Sequence, residues 1–268
     1  MSPVESALRR ERLVVAAGLL LLTLAAWFHI WRGAGMGMTA LQMTRLALFP
    51  HLQPEPMPGM AIPVLASATV VMMWWIMMIA MMTPSVAPLA LLYGRVAEHH
   101  RQRDGASAGI VAVSWLVFGY LACWFAFALL AAALQAGLRR AELVSGMMLW
   151  SRSALLSAAL LVGAGVYQLS PLKQRCLTQC RGPAGFLTRH WRPGRWGALR
   201  LGLLHGAWCV GCCGLLMGLL FVGGVMNIVW IALLSLLVLA EKLHPRGALI
   251  GRLAGLLLIA WGLATLAV

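Results

Sequence analysis

Long uninterrupted apolar runs constrain this chain more than any motif in it, because a helix needs about 20 such residues to cross about 30 Å of hydrocarbon. They cover Leu13–Trp31, Val64–Leu92, Ile110–Leu134, Ala154–Leu169, Leu201–Val222, Val225–Ala240 and Ala248–Ala267. The fifth and sixth runs are separated only by Gly223 and Gly224. A tight turn is expected there, since glycine tolerates positive φ; without it the count falls to six. The expected fold is all-α, a polytopic membrane helix bundle of about seven transmembrane helices forming one domain over residues 1–268. Composition agrees: with 62% hydrophobic and 10% charged residues, the chain has too little polar surface to coat a soluble globule.

A net charge of +14 would suggest nucleic acid as a partner if the chain were soluble. The positions of the charges argue for topology instead. With the N-terminus in the cytoplasm, 16 of the 21 Lys and Arg fall in cytoplasmic segments, as inward-facing loops require. Nucleic acid is therefore not expected, and anionic lipid headgroups are the natural counter-charge. The expected location is a bacterial-type inner membrane, crossed several times. The first run follows Arg9, Arg10 and Arg12 and is longer than a typical signal core, so it reads as an uncleaved anchor.

Two sizeable connections differ in chemistry. Residues 32–63 read as an extracytoplasmic loop rich in Gly, Pro and Met that contains His51, Glu55, Met57 and Met60; His29 and His51 with Met57 and Met60 suggest an external collecting site for metal. Residues 170–200 read as a basic cytoplasmic loop holding Cys176 and Cys180. Nearby Lys173, Arg175 and Arg181 favour the thiolate needed for a soft metal, so this pair reads either as a metal intake or exit point or as ordinary loop thiols. Small residues at Gly214 with Gly218, and Gly251 with Gly255, are expected to let the fifth and seventh runs approach their neighbours.

The second run contains Val71-Met72-Met73-Trp74-Trp75-Ile76-Met77-Met78-Ile79-Ala80-Met81-Met82-Thr83-Pro84. At helical spacing Met73, Met77 and Met81 share one ridge, while Met78 and Met82 share the adjoining one. Thioether sulfur is soft and uncharged, so it suits Cu(I) and is placed in hydrocarbon at little desolvation cost; Met is also an ordinary flexible filler of cores. Pro84 and Pro88 remove backbone donors on the same helix, which leaves the carbonyls of Ala80 and Pro84 without their usual partners.

The fifth run is richer in soft ligands. His205, Cys209, Cys212 or Cys213, and Met217 follow an i, i+4, i+7 or i+8, i+12 ladder along one face. The middle of the second run and the cysteines of the fifth fall at comparable depth, so thioethers would face thiols if these helices are neighbours. Asn227, near the outer end of the sixth run, is a candidate oxygen ligand, and Glu241 with Lys242 reads as an interfacial ion pair. Cys123 is assigned to packing. No nucleotide-binding glycine loop and no His-Glu-x-x-His pair is present, so energised pumping by this chain alone is disfavoured.

Several linked runs, in order, carry a resemblance. They are Met77-Met78-Ile79-Ala80-Met81-Met82-Thr83-Pro84-Ser85-Val86-Ala87-Pro88; Tyr167-Gln168-Leu169-Ser170-Pro171-Leu172-Lys173 with Cys176 and Cys180-Arg181; Cys209-Val210-Gly211-Cys212-Cys213; Gly224-Val225-Met226-Asn227; and Glu241-Lys242. The chain resembles the predicted metal-binding integral membrane protein family known as domain of unknown function 2182, from the second run to the C-terminus. That resemblance implies a membrane protein that binds metal.

The leading expectation is a non-enzymatic Cu(I)-handling membrane protein, for transfer across the membrane or delivery to a cuproenzyme, whose ligands are Met73, Met77, Met81, His205, Cys209, Cys212 and Cys213, with Cys176, Cys180, Met217, His51 and Asn227 as a relay. Zinc is the alternative metal, since Cys with His also suits it. Expected partners are the bilayer, the metal ion, and a cuproenzyme or metallochaperone, with oligomerisation left open. Two other classes compete: an assembly or scaffold subunit of a membrane redox complex, and a membrane thiol oxidoreductase using Cys212 and Cys213 or the loop pair.

Overall fold

The computed structural model describes residues 3–33, 39–48, 67–104, 109–144 and 151–267. They form eleven helices: α1 (Pro3–Trp31), α2 (Ala40–Leu48), α3 (Ser67–Asp104), α4 (Gly109–Arg140), α5 (Ala154–Leu169), α6 (Pro171–Arg181), α7 (Pro183–His190), α8 (Gly194–Gly218), α9 (Leu220–Gly223), α10 (Ile228–Leu243) and α11 (Gly247–Ala267). No strand occurs among the described residues, only an isolated bridge between Val144 and Ser151.

Five segments are long and apolar enough to cross a membrane: Arg12–Trp31, Ala68–Glu98, Ile110–Arg140, Gly194–Gly223 and Gly247–Ala267. A sixth is available if α5 and α6, bent by 66° at Ser170, count as one broken span. The sequence reading of about seven differs because α5 and α10 are only 16 residues long. At 1.5 Å per residue each covers about 24 Å, short of a full hydrocarbon core. Large apolar side chains project outward from α1 and α11, including Leu21, Phe28, Leu257 and Leu263, as lipid-facing helices require.

Helices α3, α4 and α8 make the core, with α4 packed along both of the others and α1 against α3. Close approach of α4 and α8 rests on glycine. A Cβ at Gly202 would lie 2.0 Å from the Leu116 carbonyl oxygen. Gly202→Ala is therefore expected to push two backbones apart and destabilise by about 1–3 kcal/mol. Thermal unfolding in detergent reads this directly, and an unchanged midpoint contradicts it. The glycines expected to pack helices serve unequally. A Cβ at Gly255 would meet Gln168 Cβ at 2.8 Å and so marks the tight α5–α11 seam, whereas Gly214 has ordinary room and Gly218 faces open space.

The proline effect on α3 has a visible remedy. The helix runs unbroken through Pro84 and Pro88, and the Ala80 carbonyl that Pro84 deprives of a donor accepts from Trp27 Nε1 of α1 at 3.2 Å. The expected turn between the fifth and sixth runs is present: Gly224 has φ of +91° and Asn227 caps α10.

Residues 170–200, expected as a loop, instead hold α6, α7 and the start of α8. Ser170 ends α5 and starts α6, its Oγ accepting from Lys173 N at 3.2 Å, with Pro171 in the first turn. On α6, Lys173, Cys176, Leu177 and Cys180 form one buried face turned toward α8 and α10. Of residues 32–63, the described part includes α2, which reaches the N-terminal end of α10 through Thr44, whose Oγ1 accepts from Ile228 N. His51, Glu55, Met57 and Met60 lie outside the described residues.

Candidate metal centre

Three cysteines of α8 sit together in the core. The sulfurs of Cys209, Cys212 and Cys213 all lie within 4.8 Å of one another, and all three residues are buried. Helical spacing produces this, because positions i, i+3 and i+4 stack on one face. The thiols of Cys212 and Cys213 both donate back to the Cys209 carbonyl, at 3.2 and 2.9 Å. These bonds turn the two side chains toward the preceding turn, where Cys209 stands.

Helix α3, whose adjacency the sequence leaves open, presents side chains to these cysteines. Met82 Sδ lies 3.8 Å from Cys213 Sγ, and Ser85 Oγ lies 4.0 Å from Cys209 Sγ. The methionine that meets the cysteines is thus Met82, on the ridge adjoining the expected one. Met73, Met77 and Met81 are buried in the same core.

Helix α6 closes a second side. Cys180 Sγ stands 3.8 Å from Cys212 Sγ, and a Cβ on Gly211 would meet Cys176 Sγ at 3.2 Å. These two thiols, expected in a basic loop, are buried beside the α8 cysteines. Tyr167 of α5 donates to the Gly211 carbonyl and ties the same turn from below.

Polar groups frame Cys209. Its sulfur receives a hydrogen bond from Lys242 Nζ at 2.9 Å and lies 3.0 Å from the Tyr120 hydroxyl. Lys242 also donates to Ser85 Oγ at 3.2 Å, and Tyr120 donates to the Met82 carbonyl at 3.0 Å. Here the expectation for Glu241 and Lys242 fails. They are neither exposed nor paired with each other: both are buried, and Glu241 accepts from Lys173 Nζ and from Gln168 Nε2, each at 2.6 Å. Adjacent residues on a helix point about 100° apart, so each finds its own partner.

Two expected ligands stand apart from the three sulfurs. His205, one turn before Cys209, is buried with its ring 5.8 Å from that of Tyr120 and 5.2 Å from that of Phe186, measured between centroids. Its Nδ1 has no hydrogen-bond partner among the described residues. Asn227 is committed elsewhere, because its Oδ1 accepts from Val229 N and Trp230 N while its Nδ2 donates to the Gly223 carbonyl. That makes it a helix cap rather than an oxygen ligand. Met217 is buried one turn beyond Cys213, and Cys123 packs against α8 with its thiol donating to the Leu203 carbonyl.

A family model described as copper chaperone, PpoB2, matches residues 71–265. The chain belongs to the PpoB2 copper chaperone family. No curated protein and no solved structure matches it. The donor set fits copper as cargo: thiols and a thioether are soft ligands that suit Cu(I), and a neutral thioether adds no charge to a buried site. Within this copper chaperone family member, sequence reasoning found the α8 cysteines but passed over Met82, Ser85, Tyr120 and Lys242 as contributors. Signals existed for three of them, since Met82-Thr83-Pro84-Ser85 and Glu241-Lys242 both lie within the runs that carry the resemblance.

Proposed function

We propose that the chain is a non-catalytic chaperone of the inner membrane that takes Cu(I) onto Cys209, Cys212 and Cys213, with Met82 as a soft neighbour. Cys180 and Cys176 exchange the ion with an acceptor at the cytoplasmic face, either a metallochaperone or a cuproenzyme under assembly. A cytoplasmic N-terminus completes this reading. The observation that carries it is the group of three buried sulfurs mutually within 4.8 Å, continued by Cys180 at 3.8 Å from Cys212. Thiolate ligands exchange by passing the ion from sulfur to sulfur, and a chain of close thiols offers that path without releasing Cu(I) into hydrocarbon.

The test uses detergent-purified protein loaded with Cu(I) under reducing conditions and mixed with an aqueous Cu(I) chelator. Cys176→Ser/Cys180→Ser is expected to hold copper at the wild-type stoichiometry but to release it roughly tenfold more slowly, the scale of 1.4 kcal/mol on a barrier. Equal release rates would remove the relay, and wild-type protein that retains no Cu(I) would overturn the whole reading.

A further inference from the structure

Lys242 is a buried cation directly beside the sulfurs, and its charge is not used by any carboxylate among the described residues. The nearest acidic group in sequence, Glu241, is occupied by Lys173 and Gln168. What Lys242 Nζ does meet is Cys209 Sγ at 2.9 Å and Ser85 Oγ at 3.2 Å. A buried ammonium demands an anion, and of the two atoms that Lys242 Nζ meets among the described residues the Cys209 sulfur is the one able to supply it.

The valence of the bound ion then matters. For any fixed set of thiolates, the complex of a monovalent ion carries one positive charge less than the complex of a divalent ion. A fixed ammonium at hydrogen-bond distance from one of those thiolates favours the less positive complex, whatever the number of thiolates. Resting on the copper reading above, we infer that Lys242 is a selectivity residue, whose ammonium biases the Cys209–Cys212–Cys213 centre toward Cu(I) and against divalent ions such as Zn(II). Sulfur donors alone do not give that discrimination, because three or four cysteines also make a good zinc site. The lysine adds it by charge.

The ratio of Cu(I) to Zn(II) affinity is the readout, since a merely structural role for Lys242 weakens both ions together. Each affinity is measured by competition with a chromophoric chelator on purified full-length protein in detergent, anaerobically, for wild type, Lys242→Met, Lys242→Gln and Lys242→Arg. Methionine keeps the length of the side chain without its charge, and arginine keeps the charge with a different shape. The ratio is expected to fall at least about tenfold in Lys242→Met, equivalent to 1.4 kcal/mol, and to stay near wild type in Lys242→Arg. Lys242→Gln reads the same loss if the methionine variant does not fold. A ratio that stays within tenfold of wild type in the uncharged variants, or that falls equally in Lys242→Arg, overturns the inference while the copper reading stands. Wild-type protein with no Cu(I) affinity overturns both.

Discussion

Replacing Cys209 by alanine is expected to reduce Cu(I) affinity by more than about 100-fold, beyond the 10–100-fold typical of removing an outer-shell partner. Cys209 stands at the junction of the site: its carbonyl receives the thiols of Cys212 and Cys213, and its sulfur faces Lys242, Tyr120 and Ser85. The same substitution strips the buried ammonium of its sulfur partner, so a loss of stability of about 3–5 kcal/mol accompanies the loss of metal. The two effects separate in a double variant. Cys209→Ala/Lys242→Met should regain much of the stability and none of the copper affinity, because the unpaired charge has gone but the ligand is still missing. Recovery of both would mean that Cys209 serves only to neutralise the lysine.

The second large effect lies at Glu241. Its carboxylate accepts from Lys173 Nζ and Gln168 Nε2 in the core, joining α10 to α6 and to α5. Glu241→Gln leaves the Lys173 ammonium buried without an anion, which is expected to destabilise by about 3–5 kcal/mol. The readout is the thermal denaturation midpoint in detergent. Lys173→Met/Glu241→Gln, which removes both charges, is expected to recover part of the loss. Since Lys173 shares its buried face with Cys176 and Cys180, the single variant should also loosen the α6 thiols from α8. A midpoint equal to wild type in Glu241→Gln would contradict the assignment of this ion pair as the anchor of α6.

The contrast between what the residue pattern foretells and what it hides follows the physics of each signal. Apolar runs report burial along one helix, and they located α1, α3, α4, α5, α8, α10 and α11 and the turn at Gly224, but not α2, α6 or α7. The His-Cys ladder reports one face of one helix, and Cys209, Cys212 and Cys213 came together as that spacing requires. Choosing between the two methionine ridges of α3 is a tertiary matter: Met81 and Met82 are equally apolar, and only the rotation of α3 against α8 turns Met82 to Cys213.

Charge misled in two places. Lys173, Arg175 and Arg181 made residues 170–200 read as a solvated loop. The Ser170-Pro171 pair was nevertheless a helix-start signal, with a hydroxyl cap followed by proline in the first turn. Glu241 beside Lys242 invited a pairing that helix geometry forbids between adjacent residues. Asn227 before an apolar run was likewise a cap in plain view. In each case a local backbone rule was present and a composition argument outvoted it.

Elemental analysis of detergent-purified protein, prepared reduced from cells grown with added copper and with added zinc, tests the central claim most directly. Wild type should carry near-stoichiometric copper even when zinc is abundant, and Cys209→Ala should carry little. Wild-type protein that is free of copper, or that takes up zinc in preference to it, would contradict the account.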